Sequence, residues 1–179
     1  MKKLITLKPQ DFLTDSTQID FSGFSKRTAA RAVLLNKQGE VYLLNVSKHG
    51  YHKLPGGGVD KDEEIEQTLE RELLEEVGCR AEVLVELGET VEYRAYDDGG
   101  LEQVSFAYLA RQVGEQVPSA LEEGEIEEGM FEVRAKSIDD AIAILSHDTP
   151  DNLEGRYIQK RDMSILEEAK RVFANIKGV

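Results

Sequence analysis

Residues 54–79 read LPGGGVDKDEEIEQTLERELLEEVGC, and the reading of this stretch decides the fold. Leu54-Pro55-Gly56-Gly57-Gly58 is incompatible with regular structure, and its glycines let backbone groups approach a ligand closely. A charged helix is predicted from about 62 to 77. Asp60 with Glu63 fits a capping box at its start, and Gly78 occupies the C′ position at its end. The loop therefore feeds straight into a helix N-terminus, the arrangement used to receive anions. It is not a Walker loop, because no Gly-Lys-Ser/Thr follows, and Lys61 stands where the dinucleotide fingerprint needs glycine.

The helix carries its charge in unfavourable places. Its early acids suit the positive end of the helix dipole, but Glu72, Glu75 and Glu76 fall in the last two turns, where negative charge is destabilising. They are spaced i, i+3 and i+4, so they share a face, at a cost of roughly 0.2–0.5 kcal/mol per like-charged pair. On a wheel with Glu72 at zero, Glu76 falls near ~40°, between Ile65 at ~20° and Leu69 at ~60°. The three carboxylates thus overlap the edge that faces the core, whereas a solvated acidic face would lie opposite it. Clustered oxygen ligands are what a hard divalent cation requires.

Gly57, Glu63, and Arg71-Glu72-Leu73-Leu74-Glu75-Glu76-Val77-Gly78 stand at the spacing of the Nudix box, and the chain resembles the Nudix hydrolase family (MutT-like). Every fixed position of the motif, residues 57–79, agrees except the last, where Cys79 replaces a bulky aliphatic. His52-Lys53-Leu54-Pro55-Gly56 resembles the usual lead-in. The likeness is close over the box and extends to the layout of residues 27–135.

The resemblance implies a Mg²⁺- or Mn²⁺-dependent hydrolase that cleaves a nucleoside diphosphate linked to another moiety. Nucleoside triphosphates, dinucleoside polyphosphates and nucleotide sugars all remain open as substrates. By motif position, Glu72, Glu75 and Glu76 would bind metal with the Gly56 carbonyl. Glu72 or Glu75 would act as general base, and Arg71 would orient a catalytic carboxylate. Glu63 would be structural. Many members add a glutamate from a loop before a late strand; Glu125 is the choice here, with Glu123, Glu127 and Glu128 as competitors. Arg31, or else Arg27, would face phosphate. Tyr51 and His52 are placed to stack on a base. Tyr96 falls where the dinucleoside-polyphosphate branch tends to have tyrosine, and no proline lies nearby to suggest the ADP-ribose branch. His49 and His147 have no metal-like spacing.

Outward from the box, residues 27–36 and 40–47 read as a hairpin, as do 81–96 and 101–112 around Asp-Asp-Gly-Gly. An acidic stretch at 113–129, a strand at 130–135 and a helix at 137–146 follow. The last helix, at about 156–176, has an apolar stripe of Ile165, Ala169, Val172 and Ile176. Strands and helices are mixed without βαβ alternation, so the expected class is α/β: a mixed sheet between helices, which the resemblance makes a Nudix α/β/α sandwich. One domain is expected over 1–179, with 1–25 and the last helix as additions to the Nudix core.

With 22 Lys+Arg against 35 Asp+Glu, the net charge is −13. That balance argues against broad nucleic-acid binding, which needs basic surface, and favours a small nucleotide-derived substrate. Lys8, Pro9 and Asp11 break the apolar start, no stretch approaches the roughly 20 residues of a membrane span, and the single cysteine fits a reducing compartment. A cytoplasmic protein with no membrane partner is expected. By resemblance, a homodimer is the assembly to test for, since many similar proteins are dimers. The competing class is a non-catalytic Nudix-like module that binds nucleotide and regulates a partner. All three box glutamates are present here, and such modules commonly lose one.

Overall fold

The computed structural model describes residues 1–13, 19–97 and 99–176. In chain order the first half contains β1 (Lys3–Leu7), a short 3-10 turn (Pro9–Asp11), β2 (Ser25–Leu35), β3 (Val41–Val46), β4 (Tyr51–Lys53) and α1 (Ile65–Val77). The second contains β5 (Arg80–Tyr96), β6 (Gly99–Val113), α2 (Glu123–Glu127), β7 (Met130–Ala135), α3 (Ile138–His147) and α4 (Leu153–Ile176). Both expected hairpins form. Asp98, in the turn of the second, lies outside the described residues, and Gly99 and Gly100 belong to β6 rather than to the turn.

The sheet is mixed, in the order β1-β5-β6-β2-β3-β4, with β7 also paired to β3. β2 runs parallel to β6 from Ser25↔Leu101 to Leu35↔Arg111, and β1 runs parallel to β5. β2 and β3 register only at Leu35↔Val41, the mouth of their hairpin. Beyond it the glycine-rich loop takes over that edge of β2. The Ala30 N–H donates to the Gly57 carbonyl and the Ala32 N–H to the Pro55 carbonyl, each at 3.0 Å, and the Val59 N–H donates back to Thr28. A segment that cannot be regular structure is therefore held as firmly as a strand.

Side chains alternate across β2 because successive Cβ atoms point to opposite faces. Ala30, Ala32 and Leu34 pack with Leu69, Leu73 and Val77 of α1. Val33 and Leu35 pack with Ile138 and Leu145 of α3 and with Ile165, Leu166 and Ala169 of α4. Helices thus cover both faces, and the architecture is the α/β/α arrangement expected. From Ala29 to Leu35 both faces of β2 are buried, which is why that part of its sequence reads as an apolar run interrupted only by Arg31. Val172 adds to the α4 stripe; the side chain of Ile176 lies outside the described residues.

Two helix starts differ from the sequence reading. α1 begins at Ile65 rather than near 62, because Asp62 adopts a left-handed φ of 67° that no helix tolerates. The reciprocal cap is Glu64 with Gln67, while Asp60 and Glu63 close a turn just ahead of it. The far end is as expected: Gly78 has φ 62° and stops the helix. α4 begins at Leu153, three residues before the expected start. The sequence reading also had no counterpart for β1 or β4.

Candidate active site

α1, the glycine-rich loop, β4, α2 and the start of α4 surround a cleft of about 210 Å³. One wall carries Glu72, Glu75 and Glu76. The core-facing position read from the wheel is real: Leu69, Leu73 and Val77 are buried, and Glu76 with them at 2% exposure. Its burial is tolerated because both oxygens are taken. Oε2 accepts the Gly56 N–H at 2.5 Å and Oε1 pairs with Lys53 Nζ at 3.0 Å. Glu76 therefore ties the helix to the loop, meeting the rule that buried charge is paired and hydrogen-bonded.

Arg71 gathers the other carboxylates. Its Nε and Nη2 form a fork on Glu63, each at 3.0 Å, and Nη1 donates to Glu72 at 2.9 Å and to Glu75 at 3.1 Å. Nη2 also donates to the Gly58 carbonyl at 3.1 Å. The fork is the strong, directional form of a charge pair. It holds Glu63 down to about 2, through the Arg71 hydrogen bonds first and the Thr68 hydroxyl second. Glu72 moves the other way: burial raises it, and the nearby Glu76 charge raises it further. Glu63 is thus a fixed anchor, and Glu72 is a carboxylate whose charge the site disfavours as it stands.

The glycines are dictated by geometry. Gly56 has φ 130°, and a Cβ there would run into the Ala30 carbonyl. A Cβ on Gly57 would overlap the Glu72 carboxylate. Only a bare backbone leaves Glu72 its position beside the loop.

Among the competing late glutamates, Glu125 and Glu128 line the cleft, together with Glu122, while Glu123 and Glu127 do not. Glu125 accepts the Glu122 N–H at 2.9 Å and sits 3.9 Å from Lys53 Nζ. Burial raises it to about 7, helped by the charge of Glu76. The donor chemistry of Glu72, Glu75, Glu76 and Glu125 beside Gly56 is that of a hard divalent cation. As they stand, these oxygens are engaged by Arg71, Lys53 and backbone N–H groups. Among the described residues, no three His, Cys, Asp or Glu side chains already converge on one point.

Of the residues expected at the substrate, Arg31 and Arg27 both line the cleft, as does Tyr51, whose hydroxyl is driven upward by burial. Arg31 is 7% exposed, Arg27 exposed. His52 lies outside the lining. Its Nδ1 and backbone N–H bond to Asp148 at 2.8 and 2.7 Å, and its Nε2 faces Asn45 Nδ2 at 2.9 Å, so the ring braces β4. Tyr96 also lies outside, 55% exposed at the far end of β5.

The sequence reading missed four further residues of the cleft. Arg94 of β5, Gln103 of β6, and Arg161 and Glu154 of α4 line the cleft. Arg161 was detectable by the signal that exposed the glutamates: it precedes Ile165 by four residues and so continues the apolar stripe of α4. Lys53 was visible in the lead-in, but only the fold shows it meeting Glu76.

The NUDIX domain family matches residues 25–148. The chain is 42% identical over 69 residues to an RNA pyrophosphohydrolase of Wolbachia pipientis subsp. Culex pipiens, covering 37% of this chain and 43% of that protein. It is 46% identical over 66 residues to an RNA pyrophosphohydrolase of Pseudoalteromonas translucida, 36% of each chain. The matches thus span less than half the length of these curated relatives. In overall fold it is similar to a NUDIX hydrolase from Nitrosomonas europaea, with TM-score 0.52 and 17% identity, over 76% of this chain and 88% of that one. Among the described residues, no helix is long and apolar enough to cross a membrane.

Proposed function

We propose, from the premise that this chain belongs to the NUDIX family, that it hydrolyses a nucleoside diphosphate linked to another moiety, with Mg²⁺ or Mn²⁺ as cofactor. The observation that carries this reading is the Arg71 fork: one guanidinium sets Glu63, Glu72 and Glu75 beside the glycine-rich loop, while Glu76 clamps that loop at Gly56. Glu72, Glu75 and Glu76 would hold the cation with the Gly56 carbonyl, and Glu125 from the facing helix. When bound, the cation neutralises diphosphate oxygens and lowers the pKa of a bound water.

The chain's own residues supply the rest. Glu72 accepts a proton from the attacking water, with Glu75 as the alternative base, and Arg71 keeps both in position. Arg31 and Arg27 receive phosphate oxygens across the cleft. Tyr51 forms part of its wall, while His52 and Tyr96 lie outside it. Residues 1–179 serve as one catalytic domain, with α4 part of the cleft.

The named activity of the relatives suggests a second reading, in which the diphosphate belongs to the 5′ end of an RNA. The charge of −13 favours the small-molecule reading, because RNA tracking needs basic surface. A phosphate-release screen with Mg²⁺ and an EDTA control separates them. The panel contains nucleoside triphosphates, dinucleoside polyphosphates, nucleotide sugars and 5′-triphosphorylated RNA. A metal-dependent hit supports the hydrolase and fixes its substrate. Silence from a folded protein that binds Mg²⁺ supports the regulatory module instead.

A further inference from the structure

We infer that Arg31, Arg94 and Arg161 form a receptor for a phosphate-class dianion in the cleft, completed by α4. Arg161 lies beyond residues 25–148, so this receptor is not made by the matched family segment alone. All three residues line the cleft, and all three are at least nine-tenths buried.

Their pairing is incomplete. Arg161 is held by Asp162 at 2.7 and 3.1 Å and lies 3.6 Å from Glu92. Arg94 lies 3.3 Å from Glu92, whose other bond comes from Gln103 at 2.8 Å. Within ion-pair distance, two buried carboxylates, Glu92 and Asp162, thus serve three buried guanidiniums, and Glu76 acts on Arg31 only from farther off. Among the described residues, Arg31 has no carboxylate within ion-pair distance. Among the described residues, the one hydrogen bond of its side chain is a long one to the Ala30 carbonyl at 3.4 Å, and the Nε of both Arg31 and Arg94 lacks a partner. Buried, unpaired N–H groups of a charged side chain are costly, and an anion that accepts them removes that cost. Burial, and then the charge of Arg161, lowers Arg31 to about 10, which still leaves it cationic at neutral pH.

The third counter-charge is on the rim. Glu154 accepts from Arg94 Nη1 at 2.7 Å while its side chain remains 62% exposed. It occupies a donor that an entering phosphate would use, so the receptor carries a removable ligand of its own. Asp162 also accepts the Leu54 N–H at 2.8 Å, tying the receptor to the segment leading into the glycine-rich loop. Guanidinium forks match phosphate oxygens in pairs, which favours phosphate over a compact halide.

The inference rests on the hydrolase reading only for whose phosphate it is, namely a phosphate of the substrate. It is tested by titrating inorganic phosphate into the full chain in EDTA by calorimetry, with thermal unfolding in parallel. The wild type should bind one phosphate saturably. Arg31→Met should unfold at the same temperature or higher, having lost an uncompensated buried charge, and should bind at least about tenfold more weakly. Glu154→Gln changes an exposed side chain, should fold normally, and should bind phosphate more tightly. The proposal is overturned if the wild type shows no saturable binding up to roughly 10 mM. It is equally overturned if Arg31→Met binds undiminished or Glu154→Gln leaves affinity unchanged. A protein that hydrolyses diphosphates yet binds no phosphate in EDTA loses this inference alone, and one that binds phosphate but hydrolyses nothing loses only the enzymatic reading.

Discussion

The carboxylate of Glu76 accepts the backbone N–H of Gly56 at 2.5 Å across a sequence separation of 20 residues. One hydrogen bond therefore fixes the distance between the helix that carries the glutamates and the loop that faces them. Lys53 balances the charge from the adjacent strand at 3.0 Å.

Removing this carboxylate should cost more than losing a surface ion pair. Glu76→Ala strands a buried N–H and a mostly buried ammonium, with an expected loss of about 3 kcal/mol. Glu76→Gln keeps an acceptor for Gly56 and should lose about half as much. Urea unfolding of the two variants checks the order, and equal losses would mean that the Gly56 bond contributes nothing.

The three loop glycines should respond differently to alanine. Gly56→Ala forces a Cβ into backbone at a φ of 130° and should destabilise by about 2–4 kcal/mol. Gly57→Ala displaces the Glu72 side chain, so it should lower activity more than stability. Gly58→Ala meets only the end of the exposed Arg27 side chain and should be the mildest of the three. Melting temperatures and initial rates measured together would reveal any reversal of this order.

A pH effect is expected at the other end of α4. Glu168 bonds Arg171 and Lys2, and these partners, Arg171 first, hold its carboxyl down at about 2 from an ordinary 4.5. A depressed carboxyl contributes stability above its unfolded value and loses it as pH falls through its folded one. Glu168→Gln should therefore cost about 1 kcal/mol at neutral pH, a figure discounted because Lys2 and Arg171 are exposed. The gap should narrow below about pH 4 and close near pH 2. A gap independent of pH would show that the ion pairs are not its cause.

The parts of the fold visible in the sequence are those with local signals. Gly78 announces the end of α1, the two hairpins announce themselves by alternation around turn residues, and Glu72 and Glu76 stand out because they lie on an apolar edge. The start of α1 was misread because Asp62 takes a left-handed conformation that an acidic, helix-compatible composition does not advertise. β1 and the parallel pairing of β2 with β6 join segments far apart in the chain, and no local period encodes such pairing. The meeting of the three arginines was hidden for the same reason, although Arg31 is singled out by the family resemblance and Arg161 lies on the apolar stripe of α4. Arg31, Arg94 and Arg161 come from three elements distant in the chain, and only the fold brings them to one cleft. His52 looked like a stacking group beside the loop, but Asp148 and Asn45 hold its ring in place.

The central claim, that the α1 glutamates perform metal-dependent hydrolysis, is tested most directly by Glu72→Gln. The substitution keeps the shape of the side chain and removes a charge that burial and Glu76 already disfavour. The measurement is the rate of phosphate release at saturating Mg²⁺, for wild type and variant, on the best substrate of the panel, with unfolding temperatures recorded alongside. Turnover should fall about 10²–10⁴-fold, with an unfolding temperature equal to or above that of the wild type. Turnover within a few-fold of wild type, or wild-type activity that persists in EDTA, would contradict the claim.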